Sequence, residues 1–209
     1  MYLPSAFREQ DPAALQRLIH AAPLGTLVLC NEAGLQAHHL PFVLDQAGGT
    51  LQAHVPRANP LSTLSQPQAC LVIFHGADGY ISPSWYASKP RHGKVVPTWN
   101  YAVVHAHGQL RLVDDSGWVR QQVDTLTRQQ EQRFSQPWSL ADAPAEFIDR
   151  LLASLVGLEI RIDRLEGKTK ASQNQPQENQ RSVLAALADD DAAGGLLAMM
   201  QAALKPAGS

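Results

Sequence analysis

Three short segments of this chain set a cation among hydroxyl and amide side chains: AHVPRANP (53–60), SPSWYASKPRHGK (82–94) and GKTKASQN (167–174). Arg57 and Asn59 come from the first, Ser82, Ser84 and Lys89 from the second, and Lys168, Lys170, Ser172, Gln173 and Asn174 from the third. Guanidinium or ammonium beside short donors is the combination that grips a phosphate through charge-assisted hydrogen bonds. Such bonds are worth about 1.5–3 kcal/mol each once desolvated, so three or four would hold a phosphorylated ligand. The same segments also read as solvated loops carrying scattered charge. Trp85, Tyr86, Trp99 and Tyr101 flank them, in a chain that is only 6% aromatic. Indoles and phenols stack on planar heterocycles and donate from their polar edges, as a nucleotide or flavin would require, although each could equally pack in a core or an interface.

Other chemistries find less support. His105 and His107 lie two apart on an expected strand and so share a face, and His38 and His39 lie on another. No acidic residue or cysteine at ligand spacing completes a metal site there, so no metal is expected. The chain has no G-x-S-x-G, no Walker A motif, no G-x-G-x-x-G and no Cys-x-x-Cys, which argues against serine hydrolases and against Rossmann or P-loop nucleotide sites. The two cysteines, Cys30 and Cys70, sit in the apolar runs TLVLCN and QACLVIF and read as buried thiols.

The elements that must position these residues follow from pattern. Asp11, Pro12 and the helical spacing of Leu15, Leu18 and Ile19 predict an opening helix. Strand-like runs follow: GTLVLC, LQAHHLPFVLD, TLQAHV, CLVIFHG, GYISP and NYAVVHAHGQLRLV. Helices are expected over SGWVRQQVDTLTRQQEQRF and over 144–154, and then GLEIRIDRLEG alternates as a half-buried strand. KTKASQNQPQENQ is too polar and turn-rich for core, and two helices separated by Gly194 and Gly195 close the chain, with frayed final residues. The fold class is therefore α+β, mainly antiparallel β, a barrel with late-inserted and C-terminal helices. A barrel domain of 1–175, including inserted helices over 115–154, precedes a helical extension of 176–209.

At 209 residues the chain can bury a core without staples, and 17 basic against 19 acidic residues give a net charge of −2, which marks no general nucleic-acid binder. The N-terminus lacks the pattern of a signal peptide, and no apolar run approaches the roughly 18 residues of a membrane span. A cytoplasmic protein is expected.

MYLPSAF, HHLPFVL, AHVPRANP, YISPSWYASK, VPTWNYAVVHAHG and KTKASQN occur in the order and approximate spacing of the PaiB family of FMN-binding negative transcriptional regulators, and from about residue 1 to about residue 190 the sequence resembles that family. The resemblance implies an FMN-binding split β-barrel of the type shared with pyridoxamine-phosphate oxidases, forming a homodimer with FMN where the subunits meet. It assigns Arg57 and Asn59 first to FMN, then Ser82, Ser84, Trp85, Tyr86 and Lys89, then Thr98, Trp99 and Asn100, and lastly Lys168, Lys170, Ser172, Gln173 and Asn174. Three positions depart from the family: Ala77 and Asp78 stand where a proline and a less acidic residue are more usual, which brings a carboxylate toward the pocket rim, and Gln175 stands where an arginine is usual. No side chain is an obvious general acid or base, so any reaction would rest on the flavin, as in a flavin-dependent oxidoreductase or flavin reductase. DNA is a partner by resemblance only, since no helix-turn-helix with a basic recognition helix is visible and the tail carries Asp189, Asp190 and Asp191.

Overall fold

Asp11 caps the first helix, α1 (Pro12–Ala21), its carboxylate accepting from the Ala13 amide at 3.0 Å. The computed structural model describes residues 1–31, 34–190 and 193–204, so Asp191 and the final residues lie outside it. Strand alternation then does what the sequence pattern predicts. In β2 (Leu24–Asn31) Leu27 and Leu29 point inward, and β3 (Gly34–Pro41) pairs with it antiparallel from Leu24↔Pro41 to Asn31↔Gly34. The same period turns Cys30 outward: it is exposed, not buried as its apolar neighbours suggested, whereas Cys70 is buried.

The run LQAHHLPFVLD is not one strand. Pro41 offers no amide, the Phe42 amide turns to the Pro23 carbonyl at 2.8 Å, and β4 (Val43–Leu44) pairs instead with β5 (Thr50–Pro56). Phe42 is 1% exposed and meets Phe74 edge-on, ring centroids 5.8 Å apart. CLVIFHG and GYISP, expected as separate strands, are one strand, β6 (Gln68–Ile81). Its glycines serve close approach rather than a turn: a Cβ on Gly79 would sit 2.6 Å from Leu196 Cδ2.

β7 (Thr98–Val113) runs 16 residues. Helices α3 (Ser116–Glu131), capped by Asp115 on the Trp118 amide at 2.7 Å, and α4 (Ala145–Ala153) follow. β8 (Leu155–Lys170) takes in the polar KTK segment as its end, where β1 (Arg8–Glu9) pairs with it, Arg8 opposite Lys168. A single turn, α2 (Lys89–His92), precedes β7, and α5 (Gln177–Ala188) and α6 (Gly194–Ala203) end the described chain.

Strand order is β3-β2-β6-β7-β8-β5-β4, with β1 added on β8, and the two end strands β3 and β4 leave the sheet unclosed. The fold is thus α+β with a mainly antiparallel sheet. Two compact units share it. Unit 1 comprises Met1–Leu18, His75–Val104 and the chain from Glu166, and its core joins Ile81, Tyr86, Ala171, Val183, Leu196 and Met200. Unit 2 comprises Ile19–Phe74 and His105–Leu165, with a satellite cluster of Val119, Ile148 and Leu152 under α3 and α4. Among the described residues no helix is long and apolar enough to cross a membrane.

Candidate flavin site

In unit 1 the starts and ends of three strands gather most of the residues singled out from the sequence. Lys170, near the end of β8, contacts the Thr98 hydroxyl at the start of β7. Lys168 sits over the Tyr101 ring at 5.2 Å and the Tyr2 ring at 5.9 Å, its ammonium 3.4 Å from the Tyr2 carbonyl. Both lysines are half-buried, and among the described residues neither meets a carboxylate. Trp99 exposes half its surface (51%) while its indole N–H donates to Asp78 at 2.8 Å, and Tyr80 packs edge-on against it at 6.2 Å. Asp78 therefore fixes the indole.

Behind this strip lies Asn100, fully buried. Its amide donates to Ser172 Oγ at 2.9 Å and toward Met200 Sδ at 3.3 Å, while its Oδ1 is buried with no partner. Ser172 is held at φ 63°, a left-handed conformation uncommon for a residue with a side chain. Gln173 closes that turn by accepting from the Ala171 amide at 2.7 Å and donating to the Thr169 carbonyl at 2.6 Å. Asn174 is exposed.

The Ser82–Lys89 loop is organised by its own hydroxyls and prolines. Ser82 caps a short 3-10 turn through the Ser84 amide at 3.2 Å, Pro83 starts that turn, and Lys89 donates to Ser84 Oγ at 3.2 Å. Trp85 packs half-buried on the core of unit 1, and burial pushes the Tyr86 phenol up. Helix α5 ties this loop to the turn after β8. Asn179 accepts from the Ser88 amide at 3.0 Å and donates to Gln175 Oε1 at 3.3 Å, Ser182 accepts from the Ala87 amide at 3.1 Å, and Gln180 donates to the Gln175 carbonyl at 2.8 Å. Sequence reasoning missed Asn179 and Ser182. The available signal was a polar residue at 179 on the same helical face as Val183 and Leu187, all three buried.

Arg57 and Asn59 belong to unit 2 and already have partners. Arg57 forms a bidentate pair with Asp114 and donates from Nε to the Ala153 carbonyl at 3.0 Å. That pair raises the guanidinium and holds the Asp114 carboxyl below the usual carboxylate range. Asn59 caps the turn that follows it, accepting from the Leu61 amide at 2.9 Å. His105 and His107 share a face in the same unit, ring centroids 6.3 Å apart.

Residues 1–164 match the sequence family described as "Putative FMN-binding domain". The chain belongs to that family. Its cofactor is FMN, and the fold is the split barrel of flavin-binding proteins. An uncharacterized protein of Emericella nidulans is 34% identical, covering 88% of this chain and 89% of that one. The Bacillus subtilis "Protease synthase and sporulation protein PAI 2" is 24% identical over 91% of each chain. Among solved structures, the FAD and haem binding protein of Mycobacterium smegmatis superposes with a TM-score of 0.61 at 19% identity, covering 84% of this FMN-family chain and 79% of its own.

Proposed function

We propose that this chain is an FMN-binding negative regulator of transcription of the PaiB type, acting as a homodimer with the flavin at the subunit seam. The observation that carries the flavin assignment is the Lys168 and Lys170 pair: two half-buried cations, set against Tyr2, Tyr101 and Thr98, that no carboxylate neutralises among the described residues. An anionic flavin nucleotide matches that charge, and the exposed Trp99 indole offers a stacking face. Bound FMN supplies electron-transfer chemistry; the chain supplies charge, a ring face and a dry wall. The strained Ser172 turn and the Asn179 bonds hold these groups in place.

In this reading regulation acts indirectly; the 24% identical Bacillus subtilis relative is named for protease synthase and sporulation. Arg17, Arg91, Arg120 and Arg128 on the helices each pair with a carboxylate, so these helices present little free positive charge to a DNA groove. The same neutralised arginines favour a second reading, a flavin-dependent oxidoreductase of the split-barrel class. Absorbance of the purified protein, its bleaching by NADH or NADPH, and a promoter gel shift separate them. Rapid bleaching with turnover in air opposes a pure regulator, and a specific, salt-resistant shift opposes a pure enzyme.

A further inference from the structure

A second concavity in unit 1 shares only Tyr86 with the residues that the resemblance assigns to FMN. Its volume is about 240 Å³, below the about 300–1,000 Å³ of pockets that hold drug-sized ligands, so it suits a small guest. Tyr86 and Ser88 line it, and both are 3% exposed. Among the described residues neither hydroxyl is hydrogen-bonded, and neither is sealed from solvent, the sealed and unpartnered atoms being His38 Nε2 and Asn100 Oδ1. Two hydroxyls on residues buried this deeply reach solvent only where the residues meet the cavity.

Three of the other polar residues around it, Gln175, His92 and Lys94, offer donors. Gln175 spends its carbonyl oxygen on Asn179, which leaves its amide N–H groups open. His92 Nδ1 accepts from the Lys94 amide at 3.0 Å, which places the proton of a neutral ring on Nε2. Lys94 contributes an exposed ammonium. The start of α5 forms the remaining wall at Pro176, with no side-chain cap, so the positive end of a 12-residue helix faces the same space. The one carboxylate, Glu178, is neutralised by a bidentate pair with Arg91.

We infer that this cavity is a small oxyanion site, taking a phosphate or carboxylate group between Ser88, Tyr86, Gln175, Lys94 and the start of α5. Gln175 fits that role as a neutral donor where an arginine would fill more of the space and fix the charge. The site lies beyond the flavin reading and stands or falls apart from it.

The test uses the full chain saturated with FMN, in a chloride-only buffer, titrated calorimetrically with inorganic phosphate and separately with acetate. Ser88→Ala and Lys94→Met are compared with the parent chain, with FMN affinity and melting temperature measured alongside. Saturable binding of either anion, weakened at least about tenfold by each substitution while FMN affinity stays within about twofold, supports the site, and the anion preferred names the ligand class. Three results overturn it: neither anion binds, binding survives both substitutions, or phosphate and FMN displace each other competitively, which would make this the flavin's own phosphate pocket. If the chain takes no FMN, the flavin reading fails while phosphate titration of the same flavin-free chain still decides this one.

Discussion

Replacing Lys170 by methionine keeps most of the alkyl stem and removes the ammonium, so it separates charge from packing. Among the described residues that ammonium has one polar contact, the Thr98 hydroxyl, and no carboxylate. Lys168 on the same strand adds a second uncompensated charge beside it. If FMN neutralises the pair, a charge-assisted hydrogen bond worth about 1.5–3 kcal/mol disappears, and the FMN dissociation constant rises about 10- to 150-fold. Partial solvent exposure favours the lower end of that range. Stability of the flavin-free protein moves the other way or not at all, because removing a half-buried charge that has no counterion relieves a desolvation cost. The assay is quenching of FMN fluorescence on titration with flavin-free protein, paired with urea denaturation of the same preparation. An unchanged dissociation constant, or a flavin-free variant destabilised by more than about 2 kcal/mol, would refute the assignment, since a structural lysine gives the second pattern.

On the assignment the resemblance implies, Arg57→Ala weakens FMN binding more than Arg120→Ala; equal FMN dissociation constants for the two would sink that role and leave Arg57 as the partner of Asp114 alone. At pH 8 a thiol reagent modifies Cys30 and spares Cys70, whose thiol burial pushes up to about 12, leaving roughly one part in 10,000 as thiolate; two equivalents reacting without denaturant would contradict this. Because Arg57 and Arg91 hold the Asp114 and Glu178 carboxyls below their ordinary values, each pair stabilises the fold above the usual carboxylate range, about pH 4, and the contribution is lost as pH falls through the depressed value. The melting-temperature difference between the parent and Asp114→Asn should therefore hold from pH 7 to 5 and shrink below about pH 4.

Local rules were readable from the sequence wherever local physics decides. The Asp11 cap and the strands β2, β5 and β7 all follow from neighbours a few residues apart. Errors came where a distant residue decides. Gly76 and Gly79 look like strand breakers, yet both lie inside β6, where a Cβ on Gly79 would collide with Leu196 at 2.6 Å and one on Gly76 would crowd Ala102 and Leu18 at 3.1 and 3.2 Å. KTK looks too polar for core, yet β1 pairs there from the other end of the chain. The candidate site was legible as a list of donors and not as pairs: Thr98 with Lys170 and Asn100 with Ser172 each join residues 72 apart, and Ser88 meets Asn179 across 91.

Charge pairing separates the two sets of cations in this fold. Arginines 57, 91, 111, 120 and 128 each have a carboxylate, so their positive charge is satisfied before any ligand arrives. Among the described residues the lysines of β8 are left without one, although Asp78 lies in the same unit and is turned instead to the Trp99 indole. A cation held half-buried without an anion costs free energy that the fold could avoid with a carboxylate within reach. That cost is offset only when an anion binds, which makes flavin occupancy a term in the stability of unit 1: FMN at a hundred times its dissociation constant would add about 2.7 kcal/mol. A protein whose unit 1 is firmer with flavin than without it can report flavin supply through its own folding, and such a sensor needs no catalytic acid, no base and no DNA-reading helix.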